Sequence, residues 1–411
     1  VHTAQNPSGV RRSVIGGLSS VARPAVAHLH AIALHDRRGY LPRRALPTEH
    51  RSVRRVYART MTQSTDIVVI GGGIAGVSAA AELSEHSSVV LLEREPTLAY
   101  HATGRSAALF FGSYGHPDTL PLTRGSLEWF DDPPHTGHPV LTPRGAMTVV
   151  FSGDLPRLEG GIPITPEEAV DRVPVIRPEL LVGAIWEPEA ADMDVAAIHQ
   201  AYVRQLRSNG GTIVTSSEVT SLTPGPAWQI VTPEGTWQAA TVVNAAGAWG
   251  DEVARLAGLT PVGLVPKRRT AFMVTAPPDS DRWPLVTDAD HSFYFKPDGV
   301  QMLCSPADET PSEPVDARPE DVDIALAIER INDVTELGIR SIRSSWAGLR
   351  TFAPDGSMVI GPDPDVPTFL WLVGQGGTGI QTAPAAAKLL AGILSGTPSM
   401  SPAPFDPARF R

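Results

Sequence analysis

The stretch DIVVIGGGIAGVSAAAELSEHSSVVLLERE, residues 66–95, decides the fold. Asp66-Ile-Val-Val-Ile70 is a β-branched run of the kind that fits a strand buried on both faces. It enters Gly71-Gly-Gly-Ile-Ala-Gly76, a GxGxxG with its glycines at 71, 73 and 76, and an Ala-rich helix is expected from Ile74 to about Ser84. Val89-Val-Leu-Leu-Glu93 reads as a second strand ending in an acid. The unit is close to the ~30 residues of a strand–helix–strand crossover, and Glu93 falls near the ~20-residue spacing of a ribose-binding acid.

Each part has a physical task. Gly71 permits the tight turn, Gly73 lets backbone approach a pyrophosphate, and Gly76 lets the helix pack closely on the sheet. The helix opens at Ile74 and Ala75, where unpaired N–H groups offer partial positive charge to phosphates. Glu93 suits the hydroxyls of a ribose and disfavours a 2′-phosphate. This is an α/β, Rossmann-like unit, and by itself it does not separate one dinucleotide from another.

Outward from this unit, residues 1–60 carry 11 Arg, no Lys, and only Asp36 and Glu49 as acids, whereas the remainder is strongly acidic. The segment has no helical or strand period, so it reads as an appendage: an extension ahead of a start at Met61, or a disordered or targeting leader. Arg11-Arg12 before Ser13–Ala22 faintly resembles a twin-arginine signal, but Arg23, Pro24, His28 and His30 interrupt the run. No stretch offers the ~20 apolar residues of a membrane span. Cys304 is the single cysteine, which excludes an intrachain disulfide and a multi-Cys metal site. No metal is expected, and the location expected is cytoplasmic or peripheral to the inner face of the membrane. The net charge of −10 gives no reason to expect nucleic acid as a partner.

Downstream, His101-Ala-Thr-Gly-Arg-Ser-Ala-Ala108 is a small, polar loop. A nicotinamide domain has no need of it, whereas a flavin's diphosphate and ribityl chain continue past the first turn. Near the end, Phe369–Val373 reads as a strand feeding Gly374-Gln-Gly-Gly-Thr-Gly379 and a helix from Ile380 to about Leu394. A second helix N-terminus is thereby available to stabilise negative charge on a reduced flavin.

Six strings extend the pattern: YHATGRSAA (100–108), VNAAGAWGDEVARLAG (243–258), VPKRRTAF (265–272), SFYFKPDG (292–299), WAGLRTFAPDG (346–356) and GQGGTGIQT (374–382). With them the chain resembles the D-amino-acid oxidase/glycine oxidase family of flavoproteins, nearest to the bacterial D-arginine dehydrogenases, from about Asp66 to about Ala391. The resemblance implies a discontinuous Rossmann-like FAD-binding domain (62–138, 190–262 and 346–411). It also implies an interleaved α+β substrate domain (139–189 and 263–345) with an antiparallel sheet. FAD is expected to be held non-covalently by Gly71, Gly73, Ile74, Ala75, Gly76, Glu93, Arg94, Thr103, Gly104, Arg105, Ser106, Ala107, Val219, Ala246, Gly247, Gly376, Gly377, Thr378, Gly379, Ile380 and Gln381.

The activity implied is oxidative deamination of D-amino acids, with hydride passing from Cα to flavin N5. Such a reaction needs the substrate carboxylate fixed, and a bidentate arginine suits that task. The resemblance selects Arg269 and Arg350. Arg268 and Arg269 are adjacent and point to opposite faces of an extended segment, so Arg268 is left to other contacts. Tyr294, between Phe293 and Phe295 in a hairpin pattern, is expected to face the cleft, and Tyr114 lies on a stretch matching a mobile lid. The Gly377 carbonyl is expected to accept from the substrate amine. No side chain stands out as an obligatory base.

Three positions depart from the D-arginine enzymes. The glutamate that binds a guanidinium there is matched by Ala146, and a histidine and a threonine are matched by Leu109 and Phe111. A cationic side chain would lack a partner, at a cost of several kcal/mol, so apolar or aromatic D-amino acids are expected over basic ones. Two further readings stay open: the same fold acting on glycine- or sarcosine-type amines or 2-hydroxy acids, and a non-catalytic nucleotide-binding protein. The electron acceptor is left as oxygen, a quinone or another flavoprotein.

Overall fold

The computed structural model describes residues 62–411, and the appendage at 1–60 lies outside the described residues. Strand Thr62–Ile70, helix Ile74–Leu83 and strand Val89–Leu92 form as expected, with the two strands parallel and Ile67 in register with Val89. They sit in the middle of an eight-stranded sheet. Parallel neighbours are Gly235–Asn244 on one side and Thr212–Val214 on the other, and Phe369–Val373 extends the sheet beyond Gly235–Asn244. Four fully buried residues, Val89–Leu92, make a central strand with no polar face.

Helices cover one side of this sheet. Ile74–Leu83, Val195–Ser208 and Gly379–Ser395 bury Val77, Ile198, Tyr202, Leu389 and Leu390 against Val69, Leu91 and Val243. The other side carries a second cluster around Trp228, Val242, Phe369 and Trp371. With both faces of the sheet covered, a ligand crevice is expected at the carboxyl ends of the parallel strands.

The second sheet has nine strands and follows the expected antiparallel pattern except at one place. Leu285–Asp288 runs parallel to Ala146–Val150, so the sheet is mixed. The reason is connectivity: strands of the first sheet lie between the two in sequence, and no hairpin joins them. Ser344–Phe352 pairs with Val265–Thr275 over nine residues, so the expected boundary at 346 falls inside a strand of this second sheet. Alternation along Tyr294–Asp298 sends Phe293 and Phe295 into the core under helix Asp321–Val334, while Tyr294 joins Ala146, Leu285 and Leu303 on the opposite face. Among the described residues no helix is long and apolar enough to cross a membrane, and no cluster of His, Cys, Asp or Glu could hold a metal ion.

Candidate active site

A long cleft runs from the first glycine turn to the second sheet. At one end Gly71, Gly73, Ile74 and Ala75 line it together with Glu93, Arg94, Val219, Ala246 and Gly247. Gly71 has φ +110, and a Cβ there would meet the Ala245 carbonyl oxygen at 2.5 Å, so the turn requires glycine. Gly76 does not line the cleft; a Cβ would sit 1.8 Å from the Gly71 oxygen, which makes it the helix-to-strand packing position. Glu93 is buried, and its carboxylate accepts from Gly72 N at 2.6 Å and Glu95 N at 2.8 Å. Arg94 lies over the Trp249 ring at 5.0 Å.

The donor set fits a dinucleotide. Helix Ile74–Leu83 has no side-chain cap from its N-cap residue Gly73, and helix Gly379–Ser395 has none from Thr378, so two helix N-termini open on one cleft. The Ser217 hydroxyl, buried and without a partner, lines the cleft beside Val219, where a heteroaromatic base could satisfy it. Thr103, Ser106 and Ala107 line the middle, with Thr103 Oγ1 accepting from Ile74 N at 3.0 Å.

Arg105 also lines the cleft, but its guanidinium is committed to the carbonyls of Ala317 and Ala347 and to Asp316, so its side chain ties the loop to the second sheet. Gly104 turns away, against the Ala99 carbonyl. His101, which lines the cleft, hydrogen-bonds Glu95 at 2.9 Å.

At the far end the cleft meets Arg269, Tyr294, Arg350, Gly376 and Gly377, with Leu109, Gly379, Ile380 and Gln381 beside them. Register explains the meeting of the arginines. Lys267 pairs with Arg350 and Arg269 with Gly348, so both guanidiniums leave the same face of the strand pair. Arg268 leaves the other face, toward Glu320 and Asp323. Arg350 Nη1 donates to the Tyr114 hydroxyl at 2.7 Å. Arg269 donates through Nε to the Asp308 carbonyl at 2.8 Å and through Nη2 to Glu309 at 3.1 Å.

Burial, and then the charge of Arg350, lower the pKa of Arg269; at Arg350 burial is outweighed by Tyr114, Tyr294 and Glu309, and its pKa rises.

The 110–115 stretch is pinned by a residue expected only at the cofactor. The Gln381 amide accepts from Phe111 N and donates to the carbonyls of Phe111 and Tyr114 and to the Thr123 hydroxyl. Phe111 stacks on Tyr114 with centroids 6.2 Å apart. Phe111, Tyr114 and Thr378 line a second cavity that shares Gln375, Gly376 and Gly377 with the cleft. Ala146 is fully buried and lines neither cavity.

Directly across from Ala146 in the ladder stands Glu187, buried, with Oε2 unpartnered and its carboxyl pushed up by burial. Sequence reasoning missed Glu187, Glu309 and His199, whose Nε2 contacts the Gly72 carbonyl at 3.0 Å. None of the three lies in a motif: loop packing brings Glu309 to the second cavity, strand register sets Glu187 opposite Ala146, and helix packing sets His199 against Gly72.

Comparison with known proteins agrees with this architecture. A family model described as FAD dependent oxidoreductase (DAO) matches residues 66–393. Mitochondrial dimethylglycine dehydrogenase of Mus musculus is 25% identical over 387 residues, 84% of this chain and 44% of that protein. The chain thus spans less than half of that relative. Glycine oxidase of Geobacillus kaustophilus is 24% identical over 360 residues, covering 81% of this chain and 94% of that one. The crystal structure of L-proline dehydrogenase from P. horikoshii superposes with a TM-score of 0.76 at 21% identity, covering 85% of this chain and 98% of that one.

Proposed function

The chain belongs to the FAD dependent oxidoreductase family, and from that premise we propose that it oxidises the Cα–N bond of a small amino carboxylate, with D-amino acids preferred. The observation that carries the reading is the pair Arg269 and Arg350, set beside Tyr294 and Tyr114 at the end of a cleft built for a dinucleotide.

Bound FAD supplies the acceptor for a hydride and its two electrons. This chain's residues do the rest. The arginines grip the carboxylate and fix the direction of the Cα–H bond. Tyr114 and Phe111 cover the site, and the Gly377 carbonyl accepts from the amine. A substrate that enters with its amine neutral needs no side-chain base, and the product is the imino acid.

The reading prefers apolar or aromatic side chains over basic ones. Its support is Leu109 lining the cleft and Phe111 lining the second cavity, packed in one apolar cluster with Ala146, whose position carries a guanidinium-binding glutamate in the resembling D-arginine enzymes. A second reading, a glycine-type or N-methylated amine, draws on relatives named for glycine and dimethylglycine.

The test is anaerobic reduction of the bound flavin by a panel of D- and L-amino acids, glycine, sarcosine and 2-hydroxy acids. Bleaching fastest with D-leucine, D-methionine or D-phenylalanine supports the proposal. D-arginine or D-lysine far ahead would overturn the side-chain preference, and sarcosine ahead of all amino acids would favour the second reading. Reoxidation with oxygen, a quinone or an electron-transferring flavoprotein then identifies the class of acceptor.

A further inference from the structure

The anion subsite carries an acid of its own. Glu309 follows strand Gln301–Ser305, and its Oε2 accepts from Lys267 Nζ at 2.9 Å while Oε1 accepts from Arg269 Nη2 at 3.1 Å. Lys267 and Arg269 are two apart on one strand and share a face, and Arg350 stands opposite Lys267 in the ladder. A single carboxylate therefore bridges two cations at the outer edge of the arginine pair. It is also placed where a ligand would reach it: Glu309 lines the second cavity together with Tyr114 and Gly377, and its side chain is 43% exposed.

We propose that Glu309 occupies the position of a second ligand carboxylate, and thereby makes the site selective for monocarboxylates over dicarboxylates. The inference rests on the reading of Arg269 and Arg350 as the grip on the first carboxylate. The reason is occupancy. Glu309 already takes the Lys267 ammonium and the outer Arg269 N–H, the two donors beside the arginine pair that a second ligand carboxylate would need. A second ligand carboxylate has to displace Glu309 from Lys267 or lie against it, and a like charge there is a built-in repulsive element. Glu309 is an anion throughout the neutral range. Burial alone would raise its pKa, but the hydrogen bond from Lys267 and the charges of Lys267, Arg269 and Arg350 hold it below the ordinary glutamate value.

The experiment is calorimetric titration of the FAD-loaded full chain with butyrate and with succinate, four-carbon acids that differ by one carboxylate. The wild type should bind butyrate more tightly. Glu309→Ala should shift the succinate-to-butyrate affinity ratio about tenfold toward succinate. Glu309→Gln, which keeps the shape without the charge, should shift it in the same direction by less. Adding Lys267→Ala to Glu309→Ala should return the ratio toward wild type, because the vacated cation is gone.

A ratio that stays within about twofold in both Glu309 variants overturns the inference, as does a gain that survives loss of Lys267. Should Glu309→Ala fail to fold, the Glu309→Gln ratio decides alone. A wild type that binds neither acid overturns the inference together with the carboxylate grip. Loss of the selectivity shift with intact butyrate binding overturns the inference only.

Discussion

Arg350 donates to the hydroxyl of Tyr114 at 2.7 Å across 236 residues of sequence, so the 110–115 stretch is tied directly to one of the two arginines that line the cleft. Tyr114→Phe deletes that acceptor and leaves the ring stacked on Phe111. We expect kcat/KM to fall about tenfold, mostly through KM, with FAD content unchanged. Steady-state kinetics alongside the protein's flavin absorbance check both halves.

The adjacent arginines separate grip from scaffold. Arg269→Ala leaves Arg350 without its partner in holding a carboxylate, and kcat/KM should drop by about 10²-fold or more. Arg268→Ala instead breaks the pairs with Glu320 and Asp323 on the opposite face. Its activity should stay within about twofold of wild type, while unfolding in denaturant shows a loss of about 1–3 kcal/mol. Equal losses of activity in the two variants would contradict the assignment of faces.

Gly377 tests the closeness of the backbone. A Cβ at this position would meet the Tyr114 hydroxyl at 2.8 Å and Arg350 Nη1 at 3.0 Å. Gly377→Ala should therefore displace the lid stretch and cut kcat/KM about tenfold or more, with melting temperature changed little. Chymotrypsin cleavage within residues 110–115 should quicken, which gives a readout independent of turnover.

These positions show what was legible in the sequence. The nucleotide unit was read correctly because its strand, turn, helix, strand and acid are contiguous, and local period and glycine spacing encode them directly. Alternation placed Tyr294 opposite Phe293 and Phe295 for the same reason. Arg269 and Arg350 follow from the family strings, since no local pattern announces that the strands carrying them share a face. Glu187 opposite Ala146 and Glu309 on Lys267 were invisible, because ladder register and loop packing are set by the whole sheet. Gln381 was expected at the cofactor, and its grip on Phe111 and Tyr114 depends on a helix and a loop that meet only in three dimensions. The parallel pairing of Ala146–Val150 with Leu285–Asp288 has no local signal, because no turn joins the two strands.

Stability carries a pH signature away from the site. Glu82, on the first helix, is raised to about 7 by burial and then by the charge of Glu85. A raised acid favours the folded state fully below its ordinary value of 4.5, and that contribution is lost as pH climbs through about 7. Glu82→Gln removes the titration, so it should be more stable than wild type by about 1–3 kcal/mol at pH 8 and equal to it near pH 4.5. Thermal melts across that range check the sign.

The central claim is that paired guanidiniums hold a carboxylate beside the bound flavin, and one stopped-flow comparison tests it most directly. Under anaerobic conditions the wild-type protein is mixed with D-leucine or with 3-methylbutylamine, the same amine without its carboxylate. The account predicts rapid flavin bleaching with the amino acid and a rate at least about 10²-fold slower with the amine. Equal rates for the two would contradict it, because the chemistry would then proceed without the group that Arg269 and Arg350 are placed to hold.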